Sequence, residues 1–186
     1  MPRPLCSPPA IAVLRQDLPV GQAVPTALRL IPAGTFNAPD GRPADAPAWV
    51  LDDADGQRLV AEMAARQSAR YIDYEHATLH AKSKGTPAPA AGWFDALEWR
   101  PGSGLWAVDI DWTPAAARMI QDREYRYISP LFSYQPGTGR VLQLLGASLT
   151  NDPGLDGLTD LAALAAPLLN PLETEALHDL MKKLFQ

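Results

Sequence analysis

The chain has 186 residues, 47% of them hydrophobic, and a formal charge of −5 at neutral pH. That length suits one domain with a real core, with or without a tail, and the acidic balance leaves no electrostatic footprint for nucleic acid. One cysteine, Cys6, excludes an internal disulfide and suits a reducing cytoplasm; no apolar run approaches the roughly 18 residues of a membrane helix, and the first residues lack the basic-then-apolar pattern of a secretion signal.

The 19 prolines concentrate in the first fifty residues and in the loops, so long irregular connections are expected. Residues 1–26 read as an irregular arm, in which Ala10 to Leu14 is a weak strand. Ala27 to Ile31 is a better strand, closed by Pro32 and Gly34, and Asp40-Gly41 marks a turn. Asp52 or Asp53 caps a helix running to about Gln67, with Leu59, Val60 and Met63 as its apolar stripe and Gln57, Arg58, Glu62 and Arg66 facing water. Arg70 to His76 follows as a strand. Its alternation groups Ile72, Tyr74 and His76 on one face and Tyr71, Asp73 and Glu75 on the other.

Ala77 to Ala90 reads as a loop. Ala91 to Trp99 and Leu105 to Trp112 read as a hairpin around Pro101-Gly102-Ser103-Gly104. Thr113-Pro114 is an N-cap with proline at the first helical position, opening a helix to about Asp122. Arg123 to Tyr134 is dense in aromatic and β-branched residues and is a predicted strand. Pro130 has no N–H to give a ladder, so it must lie at a sheet edge, a bulge or a strand end, where pairing breaks. A last strand runs from Arg140 to about Thr150 and ends in the turn Asn151-Asp152-Pro153-Gly154. Beyond it lies a helical tail, 157–186, in which Leu172, Leu177, Leu180, Met181 and Leu184 form an apolar stripe, and Glu173, Glu175, Lys182 and Lys183 match the helix dipole. The stop at Gln186, without a C-cap glycine, suggests an interrupted chain or a helix that docks on a partner. The element order argues for a mostly antiparallel α+β domain over 27–156, a partly closed, barrel-like sheet with helices packed outside.

The sequence lacks a phosphate loop, a dinucleotide glycine pattern and a Gly-x-Ser-x-Gly elbow. His76 and His80 are four apart, but no third metal ligand is evident, so neither metal nor cofactor is expected; a metal-dependent hydrolase built on those histidines is a remote alternative. Nucleophilic hydrolysis remains, which needs a serine, a base and something to orient the base. Of the three histidines, His76 ends a strand beside Asp73 and Glu75, His80 falls in the loop and His178 lies on the wet flank of the terminal helix. Ser129 sits beside the proline that breaks pairing, where a substrate could reach it.

Six segments in order resemble the protease part of the Mu-like phage protease–scaffold proteins: Pro32-Ala33-Gly34 with Asp40-Gly41-Arg42, Asp73-Tyr74-Glu75-His76, Ala91-Gly92-Trp93, Gly104-Leu105-Trp106-Ala107, Glu124 to Pro130, and Ser148 to Pro153. That family is similar to tailed-phage prohead proteases and, more distantly, to herpesvirus assembly proteases. The resemblance implies a herpesvirus-protease-like fold and a serine endopeptidase that cleaves scaffold and major capsid proteins inside the immature shell, in the host cytoplasm. It implies His76 as general base and Ser129, about fifty residues on, as nucleophile. The third member stays open: Asp152 leads, then Ser148 and Asp156, or a dyad with none. Asp73 and Glu75 are set aside because strand alternation points them away from His76. Arg123 or Arg126 could brace an oxyanion hole. On this reading 157–186 begins a scaffold region that self-associates. The competing expectation is a capsid-assembly module that keeps the fold without the chemistry.

Overall fold

A computed structural model describes residues 10–13, 16–17, 24–38 and 40–151, the first two stretches by their backbone path alone. All of them precede Pro153, after which the chain divides. The elements in order are β1 (Ala10–Val13), β2 (Gln16–Asp17), β3 (Leu28–Pro32), β4 (Gly34–Phe36), β5 (Trp49–Leu51), α1 (Asp53–Ala64), β6 (Arg70–Tyr74) and α2 (Thr78–Lys84). They continue with β7 (Gly92–Phe94), β8 (Ala96–Arg100), β9 (Gly104–Val108), β10 (Asp111–Trp112), α3 (Pro114–Gln121), β11 (Tyr127–Tyr134) and β12 (Val141–Thr150).

The main sheet has the order β1-β11-β12-β6-β7-β10, with β2 also on β11; β3-β9-β8 form a second sheet and β4-β5 a third. The pairing is antiparallel except between β12 and β6, which run parallel. The fold is therefore the expected mixed α+β with mostly antiparallel sheets, but the barrel-like closure is absent. Among the described residues β1 and β10 end the strand order without pairing to each other. The hairpin explains why. Asp109 takes a left-handed conformation (φ 52°), and the chain turns there out of β9 in the second sheet and into β10 in the first. One predicted hairpin thus serves two sheets and closes neither.

β11 is buried from Ile128 to Tyr134, so both faces are covered and polar alternation is not needed. Trp49, Phe132, Tyr134 and Phe36 form the aromatic centre of the core, with Trp49 and Phe132 edge-to-face at 5.5 Å. β12 is fixed to α1 by charge. Asp55, 1% exposed, accepts from Arg140 Nε and Nη2 at 2.7 and 2.9 Å, while Arg58 reaches the carbonyl oxygens of Val141 and Leu142. Burial pushes the Asp55 carboxyl up, but Arg140 and then Arg58 outweigh it and leave it below the usual carboxylate range.

The caps behave as predicted. Asp52 accepts from the Asp55 N–H at 2.8 Å to open α1, and Thr113 accepts from Ala116 at 3.2 Å to open α3 behind Pro114. Four boundaries differ. α1 ends at Ala64, β6 ends at Tyr74 instead of His76, β11 begins at Tyr127 instead of Arg123, and the predicted loop 77–90 contains α2. α2 has no side-chain cap at its start, although Gly85 closes it in a left-handed conformation. Among the described residues no helix is long and apolar enough to cross a membrane.

The turn between β11 and β12 uses two left-handed glycines of unlike cost. A Cβ at Gly139 would lie 1.8 Å from the Ala48 carbonyl oxygen, whereas at Gly137 it would meet nothing within 4 Å. Gly137→Ala should cost only the backbone term of about 1–2 kcal/mol. Gly139→Ala should cost more than about 3 kcal/mol, because main chain must move to relieve overpacking. Urea unfolding midpoints of the two variants check the difference.

Candidate active site

The three central strands put chemistry in one row. Ser129 on β11 is the direct cross-strand partner of Ser148 on β12, and Ser148 is the partner of Asp73 on β6. Directly paired residues share a face of the sheet, so the serine hydroxyls and the carboxylate lie on one side. The expected break at Pro130 is present. On the side of β11 away from β12, β1 pairs with Leu131 to Tyr134 and β2 with Tyr127 and Ile128. Ser129 and Pro130 fall between those two ladders.

His76 reaches this row by leaving its strand. Glu75 and His76 are consecutive left-handed residues (φ 51° and 53°), and neither is a glycine. Such backbone costs of order 1–3 kcal/mol per residue and persists only where its surroundings impose it. Here the bonds are visible. Glu75 N donates to Leu149 O at 2.9 Å and Ala77 N to Tyr74 O at 2.9 Å. His76 N donates to Ser148 Oγ at 2.8 Å. The Glu75 carboxylate accepts from Thr150 Oγ1 at 2.7 Å, and the Asn151 side chain bonds to both Glu124 O and Arg126 N. The turn carrying His76 is thereby tied to the end of β12, against the residue that faces Ser129.

The site is closed. Ser129 is 3% and His76 6% exposed, so the open approach to Ser129 expected from the pairing break is not what the structure has. Burial drives the His76 imidazole down to about 4; the Asp73 charge opposes that shift and the His80 charge adds to it. Asp73, 1% exposed, accepts from Thr78 N with Oδ2 at 2.8 Å, while its Oδ1 is buried without a hydrogen-bond partner, as is His76 Nε2. A half-open cavity of about 190 Å³ lies at the other end of β6, lined by Leu59, Met63, Arg66, Arg70 and Leu144 among others; it does not touch this row.

The predicted site residues divide accordingly. His76 and Ser148 come together directly, with Ser129 beside Ser148. Ser148 receives the His76 main chain, so it holds the turn and does not orient the ring. Asp152, Asp156 and His178 lie outside the described residues. His80 sits on α2, one turn beyond His76. Arg123 and Arg126 are exposed, and the Arg126 guanidinium stands 5.5 Å over the Tyr127 ring, which gives neither an oxyanion role. Among the described residues no three His, Cys, Asp or Glu side chains are grouped to hold a metal ion. Strand alternation sets Asp73 apart from His76, but the left-handed turn at Glu75 and His76 breaks that alternation, and the Asp73 charge acts on the His76 ring.

Residues 28–162 match the family described as Mu-like prophage I protein, N-terminal domain. The chain belongs to that family. It is 43% identical over 166 residues to the protein named Protease I of Escherichia phage Mu, and 36% identical over 164 residues to the Mu-like prophage FluMu I protein of Haemophilus influenzae. Each match takes in 84% of this chain and 45% of the relative, so the chain spans about half the length of these family members. No solved structure matches it.

Two outcomes follow from the geometry. Ser148→Ala should strand the buried His76 N–H and cost about 1–3 kcal/mol, read as a lower urea midpoint. The second concerns pH. His76 is neutral in the folded chain down to about 4, whereas an unfolded imidazole takes up a proton near 6.5. Between those values the unfolded state binds more protons, so stability is full above about pH 6.5 and falls as pH drops toward 4, by on the order of 2–3 kcal/mol. Thermal unfolding scanned over that window should show the slope in the wild type and a flatter line in His76→Gln.

Proposed function

We propose that this chain carries the catalytic part of a serine endopeptidase of phage capsid maturation, with Ser129 as nucleophile and His76 as general base. The observation that carries the reading is the anchoring of His76, in a left-handed turn, to the hydroxyl of Ser148, the cross-strand partner of Ser129. The name Protease I borne by the phage Mu relative, at 43% identity, supports peptide hydrolysis. The resemblance to prohead proteases supports scaffold and major capsid proteins as substrates and the immature shell as the place of action. On this reading His76 takes the Ser129 proton, the serine oxygen attacks the scissile carbonyl, and main-chain N–H groups hold the oxyanion. General-base help of this kind is worth about 10²–10⁴ in rate, and an oxyanion donor about 10²–10³. Self-association through the helix expected over 172–184 belongs to the same proposal.

The closure of the row favours a second reading, an assembly module in which the fold is kept and no bond is cut. One experiment separates the two. Co-expressed with its scaffold and major capsid proteins, the wild-type chain should cleave them; Ser129→Ala should lower the rate by at least about a thousandfold, and His76→Gln by about 10²–10⁴, with both variants folded. Cleavage undiminished in Ser129→Ala ends the assignment, and no cleavage by the wild type in assembled shells favours the module.

A further inference from the structure

We propose that Asp73 is the positioning residue of His76, the carboxylate that steadies the imidazole and takes up its charge in place of an acid downstream of the serine. This rests on the His76–Ser129 reading above and goes beyond it in naming the third member.

Three observations converge on Asp73. It is fixed in the row itself: its partner across β12 is Ser148, whose own partner is Ser129. Its carboxylate is half engaged. Oδ2 takes the Thr78 N–H at 2.8 Å and so cannot swing away, while Oδ1 is buried with no partner. A buried carboxylate oxygen without a donor costs about 1–3 kcal/mol or more, so an unmet acceptor here calls for a donor close by. The third observation is the matching deficit on His76, whose Nε2 is also buried and unpartnered. A neutral imidazole has one N–H and one lone pair; once it takes a proton from Ser129, both nitrogens are donors. On this reading the lone pair takes the Ser129 proton, and the N–H on the other nitrogen, present before and after the transfer, is the one a carboxylate holds; Asp73 is the carboxylate whose field favours the charged ring.

The other charged neighbours do not compete. Glu75 is exposed and spends its carboxylate on Thr150 and Asn151. His80, on α2, disfavours a charge on His76. Ser148 gives its oxygen to the His76 main chain. The turn also gives this pairing its spacing. Asp73 and His76 are three residues apart, and the chain folds back through left-handed Glu75 and His76 itself.

Asp73→Asn is the test, because the amide still offers an oxygen to the Thr78 N–H and removes only the charge. The melting temperature should stay close to the wild type while kcat for the scaffold substrate falls at least about a hundredfold and KM changes little. A readout independent of catalysis is the His76 ring proton signal, assigned by its loss in His76→Gln. At pH 4.5 the ring should be less protonated in Asp73→Asn than in the wild type, since the opposing charge is gone. An unchanged protonated fraction, or an unchanged kcat, overturns the inference. Loss of folding with kcat per folded molecule preserved overturns it too, leaving Asp73 as a cap for the turn. If instead Ser129→Ala cleaves like the wild type, it is the parent assignment that has failed.

Discussion

One hydrogen bond organises the site, the one from the His76 N–H to the Ser148 hydroxyl at 2.8 Å. It joins the end of β6 to β12 at the point where their parallel pairing stops, after Tyr74 and Leu149. Together with the Glu75 bonds to Leu149 and Thr150, it holds two non-glycine residues in left-handed conformation as the chain leaves β6. The hydroxyl can do this because Ser148 is itself fully buried and hands its proton to main-chain carbonyls, Asp73 O at 3.3 Å or Leu149 O at 3.2 Å. The bond therefore sits in a low-dielectric place where breaking it would orphan two polar groups instead of exposing them to water.

That anchor only works if β12 keeps its register, and the register is set far from the site. Asp55 holds Arg140 just ahead of β12, and Arg58 takes the carbonyl oxygens of its first two residues. At its other edge β12 pairs with β11 over its length, with slips beside Leu131 and Ser133. Those slips lie beyond Pro130 and leave the Ser129–Ser148 pairing intact. A slip of one residue at that pairing would turn Ser148 to the opposite face and release the His76 turn. The charged clamp on α1 and the hydroxyl row are thus two ends of one constraint on a single strand.

Much of this frame was legible in the residues. Asp52 before an apolar period and Thr113-Pro114 mark their helices because capping is local chemistry. Pro130 marks a break because a missing N–H cannot be hidden in a ladder. The order of elements gave the mixed class, since strands, helices and hairpin turns each carry their own period. The barrel-like closure failed because it is decided by the bend at Asp109, and no residue there announces a positive φ. α2 was hidden by its missing cap and by Pro87 and Pro89 behind it, although Gly85 at its end was a usable signal.

The same limit bears on Asp73 and His76. Period-two reasoning holds only while the backbone stays extended, and it placed Asp73 and His76 on opposite faces. In the structure the strand stops at Tyr74, and Glu75 and His76 turn back over the sheet. Nothing local requires that turn; it is imposed by Leu149, Ser148 and Thr150, more than seventy residues away in sequence. A contact made by tertiary bonds on a non-glycine turn leaves no periodic trace. What it does leave is a chemical one: two buried polar atoms, on Asp73 and His76, each short of a partner. A fold that buries two such groups three residues apart in sequence has done so against their cost, which is the reason to look there for the chemistry.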